Sequence, residues 1–350
     1  MKIALVTDTH FGARNDNQNF NDFFFKFYEN VFFPYLIEHK ITTCVHLGDV
    51  MDRRKYVSYK IATDFRKRFL GKFEALNIDL HLIVGNHDTY YKNTSEINSM
   101  EELGGYGAVY KKPQIVEFDG LPILLLPWIN ADNYEESLKA LTTANADVLM
   151  GHLEINGFAM NSNTITMQGA WDKEHFKRFE TVFSGHFHHK SDDGQIYYLG
   201  TPYEIYWNDY NDPKGFHVYD TATRELERIV NPYTLYEKIY YDDSEEDYTK
   251  HDVSKYKEKY VKLIVVNKKD LFGFDKFTDR LLKTDTYDLK IIEDFSDLDA
   301  SNVSDDIVEN SGDTMTLLDN YIDELSVDLD KDRLKKKMKE VYLEAQDLEL

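Results

Sequence analysis

The sequence contains a single cysteine, Cys44, and no long apolar run. One cysteine cannot form an internal disulfide, and it cannot supply the several thiolates of a structural zinc site. No apolar stretch is long enough to span a bilayer, and Lys2 leads directly into a core strand with no secretory leader before it. These absences exclude a disulfide-stapled secreted scaffold and predict a cytoplasmic protein that does not enter membranes.

Basic side chains are also in deficit, because the 350 residues carry a net charge of -22. Residues 1–214 hold 21 basic and 29 acidic side chains, a net charge of -8, and residues 215–350 hold 20 and 34, a net charge of -14. Nonspecific nucleic-acid binding relies on Lys and Arg to neutralise phosphates. The composition argues against such binding by the whole surface, but it leaves open a nuclease with a local site.

The order of apolar patterns predicts an α/β fold. Three apolar strands, the last of which breaks at Gly85, alternate with two segments of helical periodicity, which indicates a parallel sheet covered by helices. The strands are predicted at 2–7, at 42–47 and up to 84, and the helices at 19–38 and 58–75. In the second helix an apolar side chain recurs every four residues, at Ile61, Phe65, Phe69 and Phe73.

The pattern continues with shorter elements. A hairpin is predicted where Asp119-Gly120 separates two apolar runs, and a helix follows at 133–141. Further strands are predicted at 148–150, 181–184, 195–199, 215–220 and 225–229. A second, smaller α+β unit is predicted from strands at 235–241, 261–266 and 288–295 and a helix at 271–284.

Composition divides the chain into four parts: a first domain at 1–232, a small α+β domain at 233–295, an acidic linker at 296–313 and a helical segment at 314–350. Residues 296–313 hold six acids and no bases, which is typical of a flexible linker. The last segment carries two apolar stripes at helical spacing, which include Leu318, Ile322, Leu325, Leu334, Met338 and Val341. Such short helices are marginal alone, so they pack back on the chain's own core or against a partner.

Polar residues follow five of the apolar strands, at the positions where open α/β sheets hold ligands. The third strand ends in Gly-Asn86-His87-Asp88, and the others lead into Asp8-Thr-His10, Gly-Asp49, Gly-His152 and Gly-His186-Phe-His188. Carboxylate, carboxamide and imidazole groups without a thiolate favour Mn, Fe or Zn type divalent ions. Asp8 and His10 alone would more often be a loop pair, but the five strand ends together indicate one metal site.

Histidines outside these motifs are expected to be structural. His46 and His81 lie inside predicted strands, where a hydrogen-bonded core or edge histidine is the common case. His217 has no partner at ligand spacing and is predicted to be at the surface.

The five motifs together resemble those of the calcineurin-like metallophosphoesterases, over about residues 1–210. Within that superfamily the chain is most similar to the SbcD-type DNA double-strand-break repair nucleases, and its compact size and short helical tail resemble the recombination-endonuclease subunits of T-even-type phages. The resemblance implies a sandwich of two β-sheets flanked by helices, followed by a small α+β capping domain and C-terminal helices.

The resemblance also implies a site for two divalent ions, Mn²⁺ or Mg²⁺. One ion would be held by Asp8, His10 and His188, the other by Asn86, His152 and His186, with Asp49 as the bridging ligand. His87 would protonate the leaving oxygen, and Asp88 would orient His87. Some relatives carry a histidine where this sequence has Asp52. The resemblance therefore leaves His87 as the only candidate for the catalytic acid. Asp52 would support the metal ligands without binding an ion itself.

Three basic residues, Arg53, Arg54 and Lys55, follow the second motif directly. They are candidates for contacts to a DNA backbone. The alternative is a solvated helix start, in which the three charges serve no ligand.

The function implied by the resemblance is a two-metal DNA exonuclease that degrades duplex ends from 3′ to 5′, with an additional endonuclease activity. It would act in recombination and double-strand-break repair with an SMC-like ABC-type ATPase, whose coiled coil the terminal helices would bind. A homodimer would give a heterotetramer with the ATPase. The alternatives are a phosphoprotein or small-molecule phosphatase on the same metal site, and a non-catalytic scaffold that regulates the ATPase.

Overall fold

The computed structural model describes residues 1–161, 164–165 and 171–293, together with residues 322, 331, 334 and 335. The strands in this part of the chain are β1 Lys2–Val6, β2 Thr43–His46, β3 Asp79–Ile83, β4 Ala108–Tyr110, β5 Gln114–Phe118, β6 Leu121–Leu126, β7 Val148–His152, β8 Ala159–Asn161, β9 Thr164–Ile165, β10 Thr181–Gly185, β11 Ser191–Asp192, β12 Ile196–Tyr198, β13 Gly215–Asp220, β14 Leu226–Val230, β15 Tyr236–Asp242, β16 Tyr260–Asn267 and β17 Asp288–Ile292. The helices are α1 Ala13–Asp16, α2 Gln18–Phe27, α3 Phe33–Glu38, α4 Tyr59–Asp64, α5 Gly71–Ala75, α6 Ser99–Leu103, α7 Tyr134–Thr143 and α8 Leu271–Leu282.

Two six-stranded sheets form the main body, and this confirms the predicted α/β sandwich. The first has the order β14-β13-β1-β2-β3-β4, and the second has the order β11-β12-β10-β7-β6-β5. The inner strands β1, β2 and β3 run parallel, as do β6, β7 and β10, whereas β13, β14, β5 and β11 are antiparallel to their neighbours. Apolar side chains from both sheets, such as Leu5 and Phe183, pack in one core between them.

Helices cover the outer face of the first sheet with an aromatic layer. The two long predicted helices are present, and each contains a π-helical turn, at Tyr28–Phe32 and at Phe65–Leu70. Ser58 caps the second helix by accepting a hydrogen bond from the Ile61 N–H, and the predicted stripe from Ile61 to Phe73 is buried. The core is therefore largely aromatic, with Phe24 stacked on Tyr203 at a ring-centroid distance of 3.9 Å.

The predicted small α+β unit is present. It consists of β15, β16, β17 and α8 and is called the third module below, because it follows the two sheets of the main body. All three strands are parallel, and α8 connects β16 to β17. The apolar face of α8, with Phe274, Phe277 and Leu281, packs on this sheet. The domain boundaries at 232, 295 and 313 stay predictions.

Most of the predicted tail lies outside the described residues, and so does the linker at 296–313. Of the predicted partner-binding residues, Ile322 is helical and 2% exposed, and Leu334 is helical and partly buried. The others, Leu318, Leu325, Met338 and Val341, are outside the described residues. Within the described ranges, no helix combines the length and the hydrophobicity that crossing a membrane requires.

Two histidines outside the motifs test the predictions made for structural histidines. His46 is buried and fully bonded, with Nε2 3.0 Å from Thr9 Oγ1 and Nδ1 accepting from the Gly48 N–H, which confirms its predicted core role. The prediction for His217 is wrong. It lies on β13 and is 1% exposed, because β13 is an inner strand between β1 and β14.

Candidate metal centre

Five loops carry the candidate ligands to one place. The carboxyl ends of the parallel strands β1, β2 and β3 meet at one edge of the first sheet, and those of β7 and β10 meet at an edge of the second. A direct hydrogen bond joins the two edges, because the His186 N–H donates to Asp8 Oδ2 at 3.0 Å. All five predicted motifs therefore converge between the sheets.

The first cluster consists of Asp8, His10 and His188, whose candidate ligand atoms lie within 4.8 Å of one another. The Nε2 atoms of His10 and His188 face each other at 3.1 Å. The Asp8 carboxylate is oriented by the Thr7 hydroxyl, which donates to Oδ2 at 2.6 Å. Two imidazole nitrogens and a carboxylate that converge at such distances form a donor set that suits one divalent ion.

The second cluster consists of Asp49, His152 and His186, and its ligand atoms meet the same 4.8 Å limit. Asn86 joins it, since its Oδ1 lies 2.8 Å from His152 Nε2 and 3.0 Å from His186 Nδ1. His152 Nδ1 lies 2.8 Å from the Leu47 carbonyl oxygen, which can only accept. Nδ1 therefore carries a proton, and Nε2 is the nitrogen that faces the cluster and would bind an ion after losing its own proton.

Asp49 lies between the two clusters. Its Oδ2 is 3.2 Å from His152 Nε2 in the second cluster and 4.0 Å from His10 Nε2 in the first. Its Oδ1 accepts the His87 N–H at 2.7 Å. Burial opposes ionisation, but the neighbouring His152 and His87 hold the pKa of Asp49 well below its usual range. An ionised carboxylate in this position has the geometry of a bridging ligand.

The pKa values of three further groups, Asp8, His10 and His152, are raised toward the protonated form, whereas burial lowers those of His186 and His188. Burial raises the pKa of Asp8 to about 6. Burial lowers the pKa of His10, but the adjacent Asp52 and Asp49 outweigh it and raise that pKa to about 9. The pKa of His152 likewise rises to about 9 through Asp49, against burial. Divalent ions would replace these protons with a larger positive charge, so the residues fit a metal pair.

The backbone is strained at four of these residues. Asp8, His10, Asp49 and His186 have φ values of 51°, 44°, 55° and 86°, in the left-handed region that residues other than glycine rarely adopt. Such conformations persist only where the surrounding structure enforces them, and they cluster at functional sites. The loops therefore adopt unfavourable backbone conformations that direct these side chains into the site.

Gly85 allows two of the strand ends to approach each other closely. A Cβ at this position would lie 2.2 Å from the Asp49 backbone N and 2.3 Å from its Oδ1. Its φ lies outside the range that favours glycine. The third strand end can therefore contact the second only because residue 85 has no side chain.

His87 belongs to neither cluster but lies beside the first. Its ring is 4.9 Å from that of His10, in an edge-on arrangement at 83°. Its Nδ1 lies 2.6 Å from the Asp52 carbonyl oxygen, so Nδ1 is the protonated nitrogen and Nε2 has no part in that bond. The structure therefore places a partly buried imidazole, with one orienting hydrogen bond, next to the candidate ligands.

The expectation that Asp88 orients His87 is wrong. The Asp88 carboxylate points away and accepts backbone N–H groups from Val50, Met51 and Gly85 at 2.9–3.0 Å. Asp88 therefore joins the loop after β3 to the loop after β2. Asp52 orients His87 through its backbone, and its Oδ1 also lies 3.4 Å from His10 Nδ1, an ion-pair distance.

The three basic residues after the second motif have different surroundings. Arg53 forms an ion pair with the Asp16 carboxylate, and Arg54 is half-buried with its guanidinium carbon 5.3 Å from the centre of the Trp128 ring. Lys55 is exposed. Their contact with DNA stays a prediction, and Arg53 would have to exchange Asp16 for a phosphate.

Two residues near the site were not found from the sequence. Glu154 Oε1 lies 3.7 Å from His186 Nε2 and accepts the Trp128 indole N–H at 3.0 Å. Its position two residues after His152 on an extended segment was the one available signal. Lys214 donates to the backbone carbonyl oxygen of His188 at 3.0 Å, and no sequence pattern identifies such a bond.

The chain is similar to several known proteins. The model of the calcineurin-like phosphoesterase family matches residues 1–190. Exonuclease subunit 1 of Enterobacteria phage T4 is 32% identical over 356 aligned residues, which cover 99% of this chain and 99% of that protein. Among solved structures, a novel archaeal phosphodiesterase shares 15% identity over 66% of this chain and 100% of its own, with a TM-score of 0.31. A protein of unknown function from Aquifex aeolicus shares 19% over 51% and 93%, with a TM-score of 0.26.

Proposed function

The chain belongs to the calcineurin-like phosphoesterase family, a family of metal-dependent hydrolases, and from that membership we propose that it is the nuclease subunit of a DNA-processing complex. The observation that carries the proposal is the pair of ligand clusters with Asp49 between them. The similarity to an exonuclease subunit along nearly the whole chain supports DNA as the substrate.

In this proposal each cluster binds one divalent ion. Asp8, His10 and His188 would hold the first ion, Asn86, His152 and His186 would hold the second, and Asp49 would serve as a ligand shared between them. Four imidazole groups favour Mn²⁺ over Mg²⁺, because Mg²⁺ prefers oxygen ligands and keeps its waters. When bound, such a pair supplies Lewis-acid stabilisation and an activated water for in-line displacement at phosphorus.

His87 is the proposed catalytic acid. The Asp52 carbonyl fixes Nδ1–H, so Nε2 can carry a proton to the departing oxygen as the P–O bond breaks. For removal of nucleotides from a 3′ end, that oxygen is the 3′ oxygen of the preceding nucleotide. The ring of His10 packs against His87 and limits its rotation.

The remaining assignments concern substrate handling and partners. Arg53, Arg54 and Lys55 would contact the DNA backbone after Arg53 releases Asp16. The domains would be a nuclease domain at 1–232, a capping domain at 233–295, a linker at 296–313 and a partner-binding segment at 314–350. The partner would be an SMC-like ABC-type ATPase, and two copies of this chain would form a homodimer that binds it. The complex would act in recombination and double-strand-break repair in the cytoplasm of a host bacterium.

The experiment that tests the proposal is digestion of linear duplex DNA labelled at either end, with Mn²⁺, with and without the ATPase and ATP. We expect stepwise loss from 3′ ends, and none with Asp49→Ala. A phosphopeptide serves as the control substrate. Turnover of the phosphopeptide with inert DNA would indicate a phosphatase, and turnover of neither would indicate a scaffold.

A further inference from the structure

Lys214 is a buried cation whose bonds are all made inside the protein. It is 4% exposed, and its Nζ donates to Asp209 Oδ1 at 2.5 Å, to Asp212 Oδ2 at 2.9 Å and to the His188 carbonyl oxygen at 3.0 Å. An ammonium group has three N–H donors, so these three acceptors use all of them. The backbone of a candidate ligand is thus held by a buried ionic network.

The two aspartates are themselves fixed. Asp209 Oδ2 accepts the N–H groups of Ile205 and Tyr206 at 2.8 and 2.9 Å, and Asp212 Oδ2 lies 3.0 Å from His189 Nδ1. The aspartate side chains are 5% and 8% exposed, so solvent screens these charges little. The network therefore connects the segment after β10 rigidly to the loop before β13.

The same loop also supports the imidazole of His188. The ring of Tyr206 lies parallel to that of His188, with an angle of 8° between the planes and 5.9 Å between the centroids. The Thr201 N–H donates to the His188 carbonyl oxygen at 3.1 Å, which supplements the bond from Lys214. Backbone and ring of His188 are therefore both positioned by residues 201–214.

We propose that Lys214, with Asp209 and Asp212, is a positioning residue for the first metal site. By fixing the His188 carbonyl, it holds the imidazole at the distance from Asp8 and His10 that one ion requires. The inference rests on the proposed function, because it needs His188 to be a metal ligand. Neutral residues of the same shape would preserve the packing but not the anchor.

The test compares Mn²⁺ binding by full-length variants. Lys214→Met alone leaves two buried carboxylates without a cation and can unfold the protein. The main variant is therefore the triple change Asp209→Asn, Asp212→Asn and Lys214→Met, which removes all three charges together. Lys259→Met is the control, because Lys259, like Lys214, bonds a carboxylate, that of Glu237, but lies in the third module, where its other partner is the Thr234 hydroxyl.

Binding is measured by calorimetry after circular dichroism has shown that each variant is folded. We expect the triple variant to bind one of two Mn²⁺ ions about 10- to 100-fold more weakly, as when a group that supports a ligand is lost. In electron paramagnetic resonance, the signal of two spin-coupled Mn²⁺ ions should weaken at concentrations that just saturate the unchanged protein, and Lys259→Met should retain the full signal.

A folded triple variant that binds both ions within about twofold of the unchanged protein would overturn the role of Lys214. An unchanged protein that binds no Mn²⁺ would overturn the metal assignment itself, so the two failures are distinguishable. If the triple variant does not fold, the double change Asp212→Asn and Lys214→Met gives the same readout. It removes the bond from Lys214 to the His188 carbonyl and leaves only Asp209, whose Oδ2 still accepts two N–H groups. Unaltered affinity in this folded double variant would then contradict the proposal.

Discussion

At the scale of single residues, His87 is separated from the groups that would bind metal. Its Nδ1 bonds to the Asp52 backbone, and its own N–H bonds to Asp49 Oδ1 whatever its side chain is. We therefore expect His87→Ala to keep both Mn²⁺ ions and to lose roughly 10²- to 10⁴-fold in the rate of hydrolysis, the usual contribution of a general acid. Metal content and single-turnover rate are the measurements. Asp49→Ala should lose both properties, and a parallel loss of metal in His87→Ala would refute its role as the acid.

Gly85 offers a second test at this scale, because a methyl group there would overlap Asp49. Gly85→Ala should weaken Mn²⁺ binding and lower the free energy of unfolding by about 1–3 kcal/mol, as in other overpacked sites. Gly194→Ala is the control: its methyl group would meet nothing within 4 Å, although its φ of +90° also costs stability. Calorimetric Mn²⁺ titration and urea unfolding separate the two effects. Unimpaired metal binding in Gly85→Ala would show that the loop can move aside.

At the scale of elements, the sequence predicted those features that local spacing determines. The hairpin of β5 and β6 turns at Asp119-Gly120 as predicted, and both residues have positive φ, as a tight hairpin turn requires. The helix predicted at 58–75 and the five polar strand ends likewise follow from local spacing. The π-helical turns at Tyr28–Phe32 and Phe65–Leu70 were not, because they depend on how aromatic rings pack between elements.

The site shows the same division. Residue types at the strand ends indicated one metal site, and the family resemblance implied how its ligands divide into two clusters. The groups behind them could not, because Asp88 bonds backbone N–H groups 37 and 38 positions away, and Lys214 bonds a carbonyl 26 positions away. Such bonds depend on side-chain direction in the folded molecule, and sequence spacing carries no record of it.

Glu204 links two elements and gives a pH prediction. Its buried carboxylate accepts the N–H groups of Leu235 and Tyr236 at the start of β15. Burial raises its pKa to about 7 from 4.5, although these bonds oppose the shift. In the unfolded chain Glu204 loses its proton near pH 4.5, so stability falls as the pH rises from there through about 7. The full loss, reached above pH 7, is about 3 kcal/mol.

Glu204→Gln should remove this loss while keeping an acceptor for the two N–H groups. Relative to the unchanged protein, its free energy of unfolding should therefore rise between pH 5.5 and pH 8.5. Urea unfolding of the metal-free protein at several pH values measures the difference. Glu117→Gln on the exposed face of β5 is the control and should show no such trend. Parallel pH curves for Glu204→Gln would show that the carboxylate stays ionised.

At the scale of the whole molecule, the third module is joined to the main body next to the metal centre. The Tyr236 hydroxyl donates to the Ile205 carbonyl at 2.8 Å, and its ring lies 4.5 Å from that of Trp207. Asp209, which bonds Lys214, belongs to the same short helical turn as Trp207. The proposed capping domain thus contacts the loop that bonds to His188.

The last prediction concerns the tail, whose apolar stripes would pack either against the proposed partner or on the chain's own core. Ile322 is 2% exposed in the isolated chain, so its side chain is covered without a partner. We expect deletion of residues 312–350 to leave Mn²⁺-dependent hydrolysis of a simple phosphodiester unchanged and to abolish co-purification with the ATPase. The melting temperature of the deleted protein provides the control. Retained ATPase binding would refute docking through the tail, and a fall of several degrees would show that the stripes pack on the chain's own core.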